Sequence, residues 1–95
     1  MTSFKAVILL LVAVAATGAV EFADSQNKVW GVPSLFCNDF PHWINDKARA
    51  YMIEDTWQCT VYKDFACKGA SRLLGPTPWT DVPFAGISSV QCARR

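Results

Sequence analysis

The sequence lacks most of the residue patterns that catalytic and metal sites require. It contains one histidine, His42, and no Cys-x-x-Cys pair, so a zinc site is not expected. It also contains no Gly-x-Ser-x-Gly or His-Glu-x-x-His motif. The formal net charge of +1 argues against a nucleic-acid partner, and 95 residues are too few for the large catalytic folds. We therefore expect a protein that is not an enzyme and needs no cofactor.

No apolar run is long enough to cross a membrane, but a shorter one lies near the N-terminus. Residues 6–16 are all apolar, and at 1.5 Å per residue they span ~17 Å of a ~30 Å hydrocarbon core. Lys5 precedes this run and small residues follow it at positions 17–19, which is the layout of a secretory signal peptide. We expect cleavage after Ala19 (residues 1–19 removed) and a secreted, extracellular protein with no transmembrane segment in its mature form.

An even number of cysteines remains after this cleavage. A domain of this size buries only about 60% of its unfolded surface and usually needs cross-links. Four cysteines in a small secreted chain predict two disulfides, for which three pairings exist. The cysteines are Cys37, Cys59, Cys67 and Cys92.

The mature chain divides into two parts by its pattern. Residues 20–34 begin with a polar stretch that has no periodicity, which predicts a leader or loosely ordered segment. Apolar and polar residues alternate from residue 57 and again over residues 86–92, and prolines interrupt the chain between these stretches. Short strands separated by turns predict a small antiparallel β-domain over residues 35–95.

Two motifs in the C-terminal half resemble parts of a βγ-crystallin Greek key. Residues 62–69 read YKDFACKG, which is similar to the folded-hairpin signature that begins with an aromatic residue and ends with glycine. Gly69 can adopt the positive φ that such a bend needs, and Tyr62 can pack over it. Residues 86–92, GISSVQC, resemble the end of the same key, where serines tether the hairpin.

The resemblance extends into the N-terminal half. Residues 45–51, NDKARAY, are similar to the closing segment of a preceding key, with Arg49 and Ala50 in place of the usual hydroxyl pair. Together the motifs resemble small secreted, cysteine-containing βγ-crystallin-like proteins of fungi. This resemblance implies an all-β fold, a small antiparallel Greek-key β-sandwich stapled by disulfides. The segment before Asn45 is short for a whole key, so we expect the first key to be degenerate.

The implied Greek-key geometry favours one disulfide pairing. This pairing joins Cys59 to Cys67 across the folded hairpin, and Cys37 to Cys92 between neighbouring strands. The alternative joins Cys59 to Cys92 and Cys37 to Cys67.

Calcium is the metal that the resemblance implies. A βγ-crystallin site combines an acidic side chain of one key with a hydroxyl of the other, and Asp46 with Ser88 would form one such half-site. Phe84 and Ala85 replace the acidic pair of the other half-site. A single carboxylate gives only a weak site for a cation that takes six to eight oxygens. The favoured interpretation is that Asp46 caps a turn and Ser88 tethers a hairpin.

Tryptophans provide the best indication of a binding surface. Three of them lie near glycine or proline in predicted loops, where exposed aromatic side chains favour recognition of an extracellular protein, a glycan or a membrane surface. These candidates are Trp30, Trp43 and Trp79. The core is expected to take up Trp57, Phe65 and Phe84.

The features combine into one functional expectation with one alternative. We expect a secreted, non-enzymatic interaction protein, effector-like or cell-surface-binding. The alternative is an antimicrobial toxin or a protease inhibitor, with residues 74–83 (LGPTPWTDVP) as the inhibitory loop.

Overall fold

Two four-stranded antiparallel sheets form the framework of the protein. A computed structural model describes residues 18–95, so the predicted signal peptide lies outside the described residues except for its last two positions. Among the described residues no helix is long and apolar enough to span a membrane. The strands are β1 (Val20–Ala23), β2 (Val29–Gly31), β3 (Asn38–Asp39), β4 (Ala50–Ile53), β5 (Trp57–Asp64), β6 (Lys68–Leu74), β7 (Thr77–Asp81) and β8 (Ser89–Arg94).

The sheets are built from two Greek keys that exchange a strand. Strands β1–β4 form the first key and β5–β8 the second. The first sheet has the order β2-β1-β4-β7 and the second the order β3-β8-β5-β6. The third strand of each key therefore completes the sheet of the other key. This arrangement confirms the predicted all-β Greek-key sandwich with two disulfides.

Residues 20–34 are part of the domain, so the prediction of a loose leader was wrong. They form β1 and β2, and β1 pairs with both β2 and β4 inside the first sheet. Val20 and Val32 are buried, and Phe22 is completely buried. The backbone carbonyl of Ala19 also accepts a hydrogen bond from the Glu54 N–H at 2.9 Å. The first key thus has all four strands and is not degenerate, although β3 has only two residues.

The first hairpin lacks the residues of the motif that identifies the second. Ala23 is the counterpart of Tyr62, because each carbonyl accepts a hydrogen bond from the residue that precedes the pairing strand, β4 or β8. Four residues later, Asn27 and Ala66 both adopt positive φ, at 64° and 61°. Three residues further on, the first key has Trp30 where the second has Gly69. Asparagine tolerates the left-handed region, so the bend forms without the aromatic residue and the glycine on which the motif depends.

An aromatic cluster lies at the centre of the first key. The Phe22 ring packs edge-on against Phe40 with centroids 4.9 Å apart, and Trp30 packs against Phe40 at 4.8 Å. Aromatic pairs of this geometry contribute stabilisation beyond the area that they bury. The rest of the core combines buried apolar side chains of both sheets, including Ile53, Val61 and Val90, with Ile44 and Ile87 from the connecting segments.

The serine pair that was expected to tether the folded hairpin of the second key does so through Ser89, whereas the hydroxyl of Ser88, the residue named for this role, bonds to Asp46. The buried hydroxyl of Ser89 donates a hydrogen bond to the Asp64 carbonyl at 2.5 Å and accepts one from the Cys67 N–H at 2.9 Å. Gly69 adopts φ +83°, and a Cβ at this position would lie 2.5 Å from Asp64 Oδ2. The bend therefore favours glycine here for its backbone conformation.

The favoured disulfide pairing was wrong, and the alternative is present. Cys59 bonds to Cys92, and Cys37 bonds to Cys67. The strand register explains the difference, since Cys59 lies directly opposite Cys92 in the β5–β8 pair with Cα atoms 4.0 Å apart. Across the hairpin, the partner of Cys59 is Leu74 at the far end of β6, whereas Cys67 lies in the turn before β6 and is out of reach.

We predict that Ser89→Ala destabilises the protein by roughly 2–3 kcal/mol, because the Cys67 N–H and the Asp64 carbonyl both lose a buried partner. Urea unfolding measures the loss. Ser71→Ala, at an exposed position of β6, is the control and should change the free energy of unfolding by less than about 0.5 kcal/mol. Equal effects of the two substitutions would contradict this role of Ser89.

Candidate functional site

Asp46 and Ser88 meet where the two keys join. Ser88 Oγ donates a hydrogen bond to Asp46 Oδ1 at 3.2 Å, across 42 positions of sequence. The Asp46 backbone has a positive φ of 63°, and its N–H donates to the Ile87 carbonyl at 3.1 Å. The fold therefore brings together the two residues of the predicted calcium half-site, and it directs their side chains at each other.

This pair does not fit a calcium ion. Its single carboxylate, that of Asp46, already accepts a hydrogen bond from Ser88. A positive charge also lies near this carboxylate, because Lys63 Nζ and Asp46 Oδ1 are 3.5 and 3.8 Å from the same point, the position that a Cβ on Gly86 would occupy. The neighbouring Asn45 Oδ1 is buried without a hydrogen-bond partner, but one amide oxygen leaves the set well short of six to eight ligands. Residues 18–95 contain no group of three or more His, Cys, Asp or Glu side chains placed to hold a metal.

The equivalent junction on the other side of the molecule carries different side chains. Ser88 donates its backbone N–H to the Tyr62 carbonyl, and Arg49 donates its own to the Ala23 carbonyl, both within 2.9 Å. The carbonyls of Ser88 and Arg49 accept from Phe40 and Val82, each at 2.9 Å. Arg49 is thus the structural counterpart of Ser88. The junction at Arg49 therefore carries a cationic side chain, whereas the junction at Ser88 carries the carboxylate of Asp46.

The three tryptophans proposed as binding residues differ in exposure. Trp30 lies in β2 and packs on the core, and Trp43 is half-buried against the core with Lys28 Nζ 4.4 Å from its ring centroid. Trp79 lies in the edge strand β7 and is 46% exposed. It lines an apolar groove on the outer face of the first sheet with Ala23 and Val29. Of the three, only Trp79 is exposed, as the prediction assumed.

Two phenylalanines are more exposed than any of these tryptophans. Phe36 is 78% exposed and Phe65 is 51% exposed, so the assignment of Phe65 to the core was wrong. Trp57 and Phe84 do pack against the core. Phe65 occupies the tip of the β5–β6 hairpin, where the turn directs its side chain outward. We call Phe36 and Phe65 together the aromatic rim.

The aromatic rim is built around a disulfide. Phe36 precedes Cys37 and Phe65 lies two residues before Cys67, and these cysteines are bonded with Cα atoms 6.0 Å apart. Standard chain dimensions then place the two phenylalanine Cα atoms within about 17 Å of each other. A hydrogen bond from the Ala66 N–H to Asp39 Oδ1 at 2.7 Å also joins the two segments. The rim is therefore held on a cross-linked backbone.

His42 is exposed in the segment between β3 and β4. The carboxyl of Glu21 has a raised pKa, because burial disfavours its charged form and the nearby Glu54 adds repulsion. Glu21 lies in β1, opposite Met52 and Gly31 of the neighbouring strands. The raised pKa of Glu21 therefore results from its burial in the first sheet and from the neighbouring Glu54.

The architecture matches a known fold. No family model and no curated protein sequence matches the chain. A βγ-crystallin domain from Flavobacterium johnsoniae, a solved structure, aligns with a TM-score of 0.64 and 14% sequence identity, covering 81% of this chain and 96% of that domain. The fold is therefore βγ-crystallin-like. At this identity the likeness extends to the fold alone.

We predict that millimolar calcium shifts the melting temperature by less than about 1 °C relative to EDTA, because a ligand stabilises the folded state by RT ln(1 + [L]/Kd), which is close to zero when Kd is far above the ligand concentration. Thermal unfolding followed by circular dichroism measures the shift. A rise of several degrees that Asp46→Asn abolishes would contradict the absence of a calcium site at this junction.

Proposed function

We propose that this chain is a secreted, non-enzymatic interaction protein, effector-like or cell-surface-binding, that contacts its partner through the aromatic rim. The observation that carries the proposal is the exposure of Phe36 and Phe65 on either side of the Cys37–Cys67 disulfide. Exposed apolar side chains that cluster on a soluble domain mark interaction sites. The partner is an extracellular protein, a glycan or a membrane surface.

Secretion has two supports. Residues 1–19 have the layout of a signal peptide, and both disulfides suit an oxidising compartment. The cysteine and hairpin motifs also resemble those of small secreted fungal proteins, and a fungal type forms part of the proposal.

Cross-linking makes the aromatic rim suitable for binding. A side chain on a backbone that is already ordered loses less conformational entropy when it is immobilised by a partner. Phenylalanine adds a large apolar area with few rotatable bonds, and such residues dominate the energetics of interfaces. The disulfide and the Asp39–Ala66 hydrogen bond supply this order at the rim.

The alternative function, an antimicrobial toxin or a protease inhibitor, has less support. The predicted inhibitory loop over residues 74–83 contains β7, and β7 is hydrogen-bonded to β4 in the first sheet. A peptide segment engaged in a sheet is less free to enter a protease cleft than a projecting loop is. The aromatic rim favours the interaction protein.

We predict that the double variant Phe36→Ser/Phe65→Ser binds cells at least about fivefold more weakly than the wild type, because aromatic anchors carry a large share of binding energy. The measurement is flow cytometry of fluorescently labelled protein with intact yeast, bacterial and plant-protoplast cells, together with flotation on phosphatidylcholine vesicles.

Leu73→Ser is the matched control, since Leu73 is equally apolar and exposed but lies on β6. It should leave binding within about twofold. Equal binding by the double variant and the wild type would refute the role of the rim. Failure of the wild type to bind any of these targets above an unrelated protein of equal size would refute the proposed function.

A further inference from the structure

A basic cleft lies beside the turn between β1 and β2, apart from the aromatic rim. It has a volume of about 350 Å³ and is lined by Lys28, Lys47 and Arg49, with Trp43 as its apolar wall. All three cationic side chains are exposed to solvent. The whole chain has nine basic and eight acidic residues, so three cations in one cleft are a local concentration of positive charge in an almost neutral protein.

The one acidic residue of the cleft is committed to the turn. Asp24 Oδ1 accepts hydrogen bonds from the backbone N–H groups of Gln26 and Lys28, both at 2.9 Å. Further backbone bonds join Asp24 to Lys28 at 3.1 Å and Asn27 to Asp24 at 3.0 Å. This carboxylate therefore organises the turn that carries Lys28, and the cleft keeps an excess of positive charge.

The other cations of the cleft also stand on fixed backbone. The N–H of Lys47 donates to the Ile44 carbonyl at 2.8 Å, and Arg49 is bonded through its N–H to β1 and through its carbonyl to Val82. Lys28 Nζ lies over the Trp43 ring. Two segments, the β1–β2 turn and the connection between β3 and β4, thus place the positive groups around one aromatic side chain before any ligand arrives.

We propose that this basic cleft binds an anionic sugar residue of an extracellular polysaccharide. The charges of Lys28, Lys47 and Arg49 suit a carboxylate or a sulfate, and an arginine can hold either group with two hydrogen bonds. Ser25 and Gln26 line the same cleft and offer hydrogen-bond partners for sugar hydroxyls. Trp43 supplies the apolar surface for a ring face, and the volume lies within the range of small-ligand sites.

The cleft lies at the second junction between the keys, and this position explains why the charge of Arg49 can meet an external anion. Arg49 is the counterpart of Ser88 at the other junction between the keys, where Ser88 meets Asp46. Ala85 takes the place of that aspartate beside Arg49. Arg49 therefore lacks a neighbouring carboxylate where Ser88 has that of Asp46. Its positive charge is available to an external anion.

The test is titration of the full disulfide-bonded protein with three oligosaccharides of similar length, followed by calorimetry and by tryptophan fluorescence. The probes are a sulfated heparin oligosaccharide, oligogalacturonate with its carboxylates, and neutral dextran. Lys47→Ala/Arg49→Ala should weaken binding of the acidic sugars at least about tenfold, because it removes two charge-assisted contacts. Trp43→Phe should abolish the fluorescence change.

Lys68→Ala/Arg72→Ala is the matched control, because it removes two exposed positive charges from β6, outside the cleft. It should change the affinity less than twofold. Binding of only one acidic oligosaccharide would identify sulfate or carboxylate as the anion and support the proposal.

Several results would overturn the assignment. These are equal loss in the two double variants, equal binding of dextran, tighter binding of single-stranded DNA or phosphatidylserine vesicles, and no binding of either acidic sugar. Because the aromatic rim is unchanged in both double variants, the cell-binding experiment remains an independent measure of the proposed function.

Discussion

The exchange of third strands between the two keys is the constraint on which the rest of the structure depends. Neither key can complete a sheet alone, because β3 pairs with β8 and β7 pairs with β4. The exchange places the loops that follow β3 and β7 against the opposite key, where backbone bonds from Phe40 to Ser88 and from Val82 to Arg49 close the two junctions. It also brings Cys37 within bonding distance of Cys67. The same exchange therefore creates the core, the inter-key disulfide and the surfaces proposed for binding.

The two junctions show how one backbone arrangement can carry different chemistry. At the first junction, Ser88 donates to Asp46 and the pair is satisfied internally, with the ammonium of Lys63 nearby. At the second, Arg49 and Ala85 leave a positive group free to bind an external anion. Since the backbone hydrogen bonds of Ser88 and Arg49 match, the side chains at these positions can differ while this part of the framework is kept. A fold of this kind can change its ligand by exchanging a few side chains without changing its framework.

Much of the second key was predictable from the sequence, whereas the first key was not. Gly69 adopts the positive φ of the bend and Ser89 bonds across it, so the motif identified the hairpin and the serine pair that tethers it. The first hairpin forms its bend with Asn27 and has Ala23 and Trp30 in place of the aromatic residue and the glycine, so its sequence carries no such motif. The disulfide pairing depended on strand register, and four cysteine positions do not determine a register. The exposure of Phe65 depended on its place at a hairpin tip, which composition alone does not reveal.

The strand exchange can be tested directly by mapping the disulfides of the unreduced protein. The four cysteines fall in four different tryptic peptides, residues 29–47, 50–63, 64–68 and 73–94. Mass spectrometry of the unreduced digest should find residues 29–47 linked to residues 64–68, and residues 50–63 linked to residues 73–94. Those links require the interlocked keys and the register that places Cys59 opposite Cys92. A link between residues 50–63 and residues 64–68 would contradict the register and, with it, the proposed arrangement of the two keys.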